Sequence, residues 1–303
     1  MDKSGKPLTH LERRIIEAVE RQNGAIWGQS PQLVTNHSIL CSVSLPYRNQ
    51  APRRSFTRVS GSTSLEIQAG KIPSFEGAFQ EVGLPYGSRA RLLMLHLCSE
   101  ALKQQSPIIQ LERSFTAFAR DLGISSSASA LRVLKDQSLR LGAASIRISK
   151  TNDNEIVSFQ GYIFNALNFK LHRANSQMGL FASEIAFNPL FYSSLKTNAV
   201  PLSKHAIWAL KHSSRALDVY CWLASRLFRI HPEKPVIVRW TSLRFQFGNN
   251  RQDMRAFKKL FKTALSQALA VYPDAKVSVI RGGLKLEQSR PAIPLKVKGL
   301  IVG

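Results

Sequence analysis

The feature that most restricts the fold is a repeat. SRARLLMLHLCS at 88–99 recurs as SRALDVYCWLAS at 214–225, with Ser, Arg, Ala, Leu and Ser at matching positions. Both segments are apolar over most of their length and read as long helices. Each is followed by Pro and an apolar strand, PIIQL at 107–111 and PVIVRW at 235–240. A short helix comes next in both copies, SFTAFARDLG at 114–123 and TSLRFQFG at 241–248. A second helix follows, SALRVLKDQSLRL at 129–141 and RQDMRAFKKLFKTALSQALAVYP at 251–273. Both copies finish in strands: AASIRI and VSFQGYIFNALNFKLHR after the first, KVSVIRGGLKLEQ after the second. Two copies at a near-constant offset describe a tandem domain pair, not a solenoid.

Helix, strand, helix, turn, helix, hairpin is the element order of a winged helix. In 115–131 the helix–turn–helix is legible. Ala119 is small where two helices cross, Gly123 suits a turn with positive φ, and Leu122, Ile124 and Leu134 supply a shared core. The Ser125–Ser129 cluster is placed to cap the second helix. Arg281-Gly282-Gly283 predicts a tight hairpin turn between Val277, Val279 and Leu284, Leu286, with Arg281 and Lys285 near the wing tip. The expected class is α+β, two tandem winged-helix domains at 83–198 and 199–303 behind a leader at 1–82. In the leader, Thr9 to Glu12 resembles a capping box opening a helix through Ile15, Ile16 and Val19. Ser38–Leu45 and Ser64–Gln68 read as strands. Arg48, Arg53, Arg54 and Arg58 surround Pro52 without apolar period and read as a basic arm or a solvated loop.

Charge is the second constraint. The chain has 42 Lys plus Arg against 19 Asp plus Glu, a formal net charge of +23. Self-repulsion on that scale calls for a polyanionic partner, nucleic acid first and an anionic membrane second. The excess concentrates in the helix from 251. At about 100° per residue, Met254, Phe257, Phe261, Ala264, Leu265 and Ala268 form an apolar stripe. Arg251, Arg255, Lys258, Lys259 and Lys262 occupy another sector, with Asp253 the one acid between Arg251 and Tyr272. A merely solvated face usually mixes signs. Asn249 or Asn250 can cap this helix, Asp253 suits its first turn and Pro273 ends it.

Several classes are disfavoured. No apolar run reaches membrane-spanning length and MDKSGKPLTHLERR has no signal-peptide core. Cys41, Cys98 and Cys221 match neither a disulfide framework nor zinc spacing, so they read as buried residues of a cytoplasmic protein. There is no P-loop pattern, no His-x-His pair and no paired carboxylates on one helix face. His96 reads as a satisfied core residue, and Tyr162, Tyr192, Tyr220 and Tyr272 as core rather than nucleophiles. The expectation is no enzyme, no cofactor and no metal.

HSILCSVSLPYR (37–48), GLPYGSRARLLML (83–95), SFTAFARDLGI (114–124), Asp136-Gln137, Leu139-Arg140-Leu141 and 214–273 together resemble the plasmid-encoded RepA-type replication initiators. The resemblance covers most of the chain. It implies a DNA-binding protein that recognises repeated origin sites, helps open an A·T-rich segment and brings in the host replicative helicase or its loader. It also allows self-repression and a homodimer. The first copy departs from the second: its recognition-helix candidate carries Ser129, Arg132, Lys135 and Arg140 with Asp136 among them.

On this reading the second recognition helix enters the major groove N-terminus first. Arg251 and Arg255 are expected at guanine edges and Asn250 and Gln252 at adenines, whereas Lys258, Lys259 and Lys262 hold phosphates. A winged-helix repressor without a replication role has the same physics. An RNA-binding or membrane-surface protein fits less well, because no aromatic-rich basic strand offers base stacking and the basic helix adjoins a hairpin.

Overall fold

The computed structural model describes residues 33–73, 77–110, 115–151, 156–174, 177–248 and 253–293. The helix expected through Ile15 to Val19 lies outside them. Two compact units form, one from 33–42 with 200–293 and the other from 43–199. Residues 33–42 thus share a unit with 200–293, and 43–82 belong with the middle of the chain.

Residues 33–42 hold β1 (Leu33–His37) and α1 (Ser38–Ser42). The strand expected over Ser38–Leu45 does not form. His37 Nδ1 accepts from Ile39 N at 3.2 Å and Ser42 Oγ donates to Ser38 O at 3.1 Å, so side chains close a helical turn where apolar alternation suggested extension. Cys41 is buried by that turn.

The middle unit runs through β2 (Ser55–Ser60), β3 (Thr63–Gln68), β4 (Lys71–Pro73), β5 (Phe79–Glu81), α2 (Gly87–Lys103), β6 (Ile108–Gln110), α3 (Phe115–Asp121) and α4 (Ala128–Ala143). It continues with β7 (Ser145–Thr151), β8 (Ile156–Tyr162), β9 (Phe164–Ala174), β10 (Gln177–Phe187) and α5 (Pro189–Thr197). Helix α2 is buried along Ala90, Leu93, Leu97, Cys98 and Ala101. The α3–α4 turn follows the sequence: Gly123 has φ +67°, and Ala119, Leu122, Ile124 and Leu134 are buried. The serine cluster acts differently from expectation. Ser127 occupies the N-cap position without a side-chain cap bond, and its N–H donates to Ser125 Oγ at 3.2 Å.

Motifs behind the resemblance meet in this unit as packing devices. The buried Arg91 guanidinium donates to Leu45 O at 2.6 Å, Pro46 O at 3.1 Å and Gly87 O at 2.8 Å, with the Tyr47 ring 4.9 Å away. Gln137 Oε1 accepts from Tyr86 N at 2.7 Å, and Arg140 donates to Leu84 O at 3.3 Å while pairing with Asp136 at 2.8 Å. A Cβ on Gly83 would collide with the Arg140 guanidinium. These contacts fix the Gly83–Gly87 loop against α4. The arginines around Pro52 divide likewise. Arg54 donates to Val82 O at 3.0 Å, Ala69 O at 3.2 Å and Gly70 O at 3.1 Å, and Arg58 is buried beside Tyr47 and Phe56. Arg58 lies within β2, so the stretch is not a uniform basic arm; Arg48 and Arg53 remain exposed.

Besides the two-stranded β4–β5 pair, two larger sheets build this unit. One has the order β6–β10–β9; the other, β2–β3–β7–β8, buries Leu65, Ile67, Ile146 and Ile148. The strands expected directly after α4 thus join β2 and β3, and the hairpin that completes the first repeat is β9–β10. Tyr162, at the end of edge strand β8, is 54% exposed, against the expectation of a core residue. Tyr192, Tyr220 and Tyr272 are buried.

The C-terminal unit adds β11 (Ala199–Ser203), α6 (Lys204–Leu210), α7 (Ser214–Arg226), β12 (Val236–Arg239), α8 (Trp240–Phe247), α9 (Met254–Ala270), β13 (Val277–Ile280) and β14 (Gly283–Leu286). β1 pairs with β11, and the second sheet has the order β12–β14–β13. Helix α7 is buried from Ala216 to Ser225. Aromatic contacts knit it to the helix pair: Trp222–Phe247 at 5.3 Å, Phe247–Phe261 at 5.4 Å and Phe257–Phe261 at 5.5 Å. Arg215 donates to Phe247 O at 3.3 Å at the end of α8, and Gln246 donates to Ser42 O at 2.7 Å. Both units therefore place helix, strand, helix, helix and hairpin in one order, and in both three-stranded sheets the last strand lies between the other two. The three cysteines are free and buried, and no described helix is long and apolar enough to cross a membrane.

Candidate nucleic-acid interface

Helix α9 starts at Met254 because Asp253 is its N-cap, accepting from Ala256 N at 2.9 Å. The cap expected from Asn249 or Asn250 is thus supplied farther along the chain, by the residue assigned to the first turn. Asn249, Asn250, Arg251 and Gln252 lie outside the described residues. The apolar stripe is buried at Phe257, Phe261, Ala264, Leu265 and Ala268, and Met254 is half-buried. Arg255, Lys259 and Lys262 are exposed and Lys258 is half-buried. Among the described residues none of these four cations makes an ion pair. Among the described residues, no acidic side chain of the unit neutralises the positive face.

The β13–β14 hairpin adjoins the start of α8. Strands β13 and β14 pair from Val277↔Leu286 to Ile280↔Gly283, leaving Arg281 and Gly282 as a two-residue turn. A Cβ on Gly283 would strike Val238 O, so the neighbouring strand approaches as only glycine permits. Trp240 N donates to Gly282 O at 3.0 Å, tying the turn to the first residue of α8. Arg281 is exposed at the tip. Lys285 is not at the tip: it sits mid-strand opposite Ser278 and Ile237, and its Nζ pairs with Glu287 at 3.0 Å. Leu284 and Leu286 are buried as the alternation requires, while Val279 is 48% exposed.

Two residues of this surface escape sequence reasoning. Arg239 is exposed and pairs in register with Gly283, one position from the turn. Trp240 has the Lys258 Nζ 5.3 Å and the Lys262 Nζ 6.0 Å from its ring centroid. In PVIVRW it reads as the end of a strand, and nothing in the sequence links it to lysines on a later helix.

In the middle unit, α4 presents Ser129 and Arg132 as exposed and Lys135 as half-buried. Arg140 faces the Gly83–Gly87 loop and is held by Asp136, so it belongs to the scaffold.

The family described as plasmid-encoded RepA protein matches residues 84–241. The chain belongs to the plasmid-encoded RepA-type replication initiator family. Its shared region takes in the repeat of the middle unit and the start of the second copy, ending at the residue after Trp240. Helix α9 and the hairpin after it lie beyond that match. Similarity to solved structures extends further. A crystal structure of domains 2 and 3 of RctB superposes with a TM-score of 0.53 at 12% identity, covering 83% of this chain and 98% of that one. A second, of RctB residues 155–483, gives 0.51 at 12% identity with coverages of 82% and 96%. At that identity the likeness concerns the fold. Among curated protein sequences none matches.

Proposed function

We propose that this RepA family member is a sequence-specific duplex-DNA-binding initiator built from two winged-helix modules. It binds repeated sites in a plasmid origin, promotes opening of the origin and recruits the host replicative helicase or its loader, in the cytoplasm and without catalysis. Helix α9 is the recognition helix of the C-terminal module. Arg255, in its first turn, reads guanine O6 and N7; Lys259, Lys258 and Lys262 hold phosphates farther along. Arg251, Asn250 and Gln252 precede the helix and complete the base-reading end. Arg281 at the wing contacts backbone or minor groove, and Lys285 supports it from mid-strand. Ser129, Arg132 and Lys135 on α4 give the middle module a weaker contact.

The observation that carries this reading is the set of cations on α9 with no acidic partner among the described residues. An intramolecular ion pair would have to break before a phosphate could bind; here the charge is already available. Family membership supports the replication role.

The test has two arms. A footprint on DNA flanking the gene should reveal repeated protected sites, and the chain should shift that duplex far better than scrambled DNA or RNA. A plasmid bearing those repeats should then replicate when the gene is supplied in trans. Protected repeats without replication would leave a repressor; no preference for duplex DNA would remove the interface itself.

A further inference from the structure

We infer that Trp240 is a positioning residue for DNA-backbone binding: its indole holds Lys258 and Lys262 as one phosphate-binding site beside the wing turn. The inference rests on the reading of α9 as a DNA-binding helix and adds a residue outside that helix.

Lys258 and Lys262 are four residues apart, so they stack on one flank of α9. Arg255 and Lys259 are likewise four apart, and at about 100° per residue they occupy the centre and far side of the basic face. Both lysines of the first pair reach the same ring, with Nζ at 5.3 Å and 6.0 Å from its centroid. That ring is itself fixed. Trp240 is 6% exposed, meets Phe261 edge-to-face at 6.1 Å, and anchors the wing turn through its backbone bond to Gly282 O.

The choice of an aromatic ring has a physical consequence. A carboxylate could hold two lysines only by neutralising them. An indole attracts an ammonium through its quadrupole and leaves its full charge in place. Each ammonium beside the ring keeps N–H groups for an oxygen acceptor. Ordering these two long side chains before binding lowers the entropy cost of gripping a phosphate. The basic face thus divides: among the described residues no ring supports Arg255 or Lys259, whereas Lys258 and Lys262 are pre-set toward the wing.

A double-mutant cycle tests this on the full chain, with scrambled duplex at low salt. Trp240→Leu should weaken binding by roughly threefold, the scale of an exposed cation–π contact. Trp240→Phe should recover part of that affinity, because a benzene ring holds cations less well than indole. In a Lys258→Ala/Lys262→Ala background, Trp240→Leu should have no further effect. The preference for specific over scrambled duplex should stay constant, since phosphates carry no sequence. An equal loss from Trp240→Leu in both backgrounds would make Trp240 a scaffold residue and overturn the inference alone. Wild-type binding by Lys258→Ala/Lys262→Ala would overturn it together with the phosphate role of those lysines. Should Trp240→Leu not fold, Trp240→Phe through the same cycle decides the matter, because it loses less volume, keeps an aromatic ring and weakens the quadrupole, and the cycle cancels the packing loss common to both backgrounds.

Discussion

The two units share an element order of helix, strand, helix, helix and hairpin, interrupted in the middle unit by β7 and β8, and they differ in where they carry positive charge. In the C-terminal unit the hairpin is short, with strands of four residues, and the cations crowd onto α9. In the middle unit α4 has few free cations, and the hairpin strands β9 and β10 run for 11 residues each. Among the described residues the third strand, β6, pairs with Glu184 to Ala186, and the pairs from Phe169↔Ala182 to Ala174↔Gln177 continue past these positions between β9 and β10. That stretch carries Lys170, His172 and Arg173 in its sequence. The middle unit also has a sheet, β2–β3–β7–β8, with no counterpart among the described residues of the other. A shared element order does not dictate a shared surface. One copy of the fold presents a basic helix, and the other extends a hairpin and tethers its own helix to a structural loop through Arg140 and Gln137.

The comparison breaks most readily at base readout. Arg255→Ala should cost about 1–3 kcal/mol on the specific duplex and little on a scrambled one. Arg132→Ala on α4 should produce a smaller effect, equal on both duplexes. Mobility shifts with the two probes check this, and a larger specific effect at Arg132 would reverse the assignment of roles.

The hairpin comes next. Replacing 170–181 by Asn-Gly should close β9 and β10 at Phe169 and Ala182 and leave the β6 pairing intact. Thermal stability should change little, and duplex affinity should fall alike on both probes. The log–log salt slope should flatten by about 0.9 for each phosphate that is no longer neutralised. Unchanged binding would mean that this stretch serves another purpose.

Acid sharpens the comparison further, with a smaller effect at neutral pH. Burial pushes the His37 imidazole down to about 4 from its ordinary 6.5, and Nδ1 must stay unprotonated to accept from Ile39 N. A depressed native pKa means that the contribution is complete above about 6.5 and fades as pH falls toward 4. The C-terminal unit should lose about 2 kcal/mol between pH 7.5 and pH 5. Trp208, Trp222 and Trp240 lie in this unit and report its unfolding in denaturant. His37→Asn, which keeps a short acceptor, should flatten that dependence; an unaltered pH profile would exclude His37 as its source.

Much of the core was legible from the sequence, and the reasons are physical. Helices α2 and α7 have long apolar faces and repeated residues, and Gly123 and Gly283 mark places where backbone geometry admits little else. The α9 stripe and its opposing charges follow from helical period alone. What escaped depends on partners distant in sequence. The strand status of Arg58 depends on β3, and the placement of β7 depends on pairing with β3 across the Leu65↔Ile148 register. His37 ended a strand through one local hydrogen bond that apolar alternation does not encode. Asp253 took the cap because its carboxylate met Ala256 N, so the helix begins at Met254. Trp240 was invisible as a site residue because its lysines arrive only when α9 packs.

The salt dependence of duplex binding by the full chain tests the central claim most directly. Replacing Lys258, Lys259 and Lys262 together by Ala should lower the magnitude of the log–log slope by about 3, and replacing Arg132 and Lys135 should lower it by less than about 2. A slope that does not respond to the α9 substitutions would contradict the assignment of this helix to the DNA backbone.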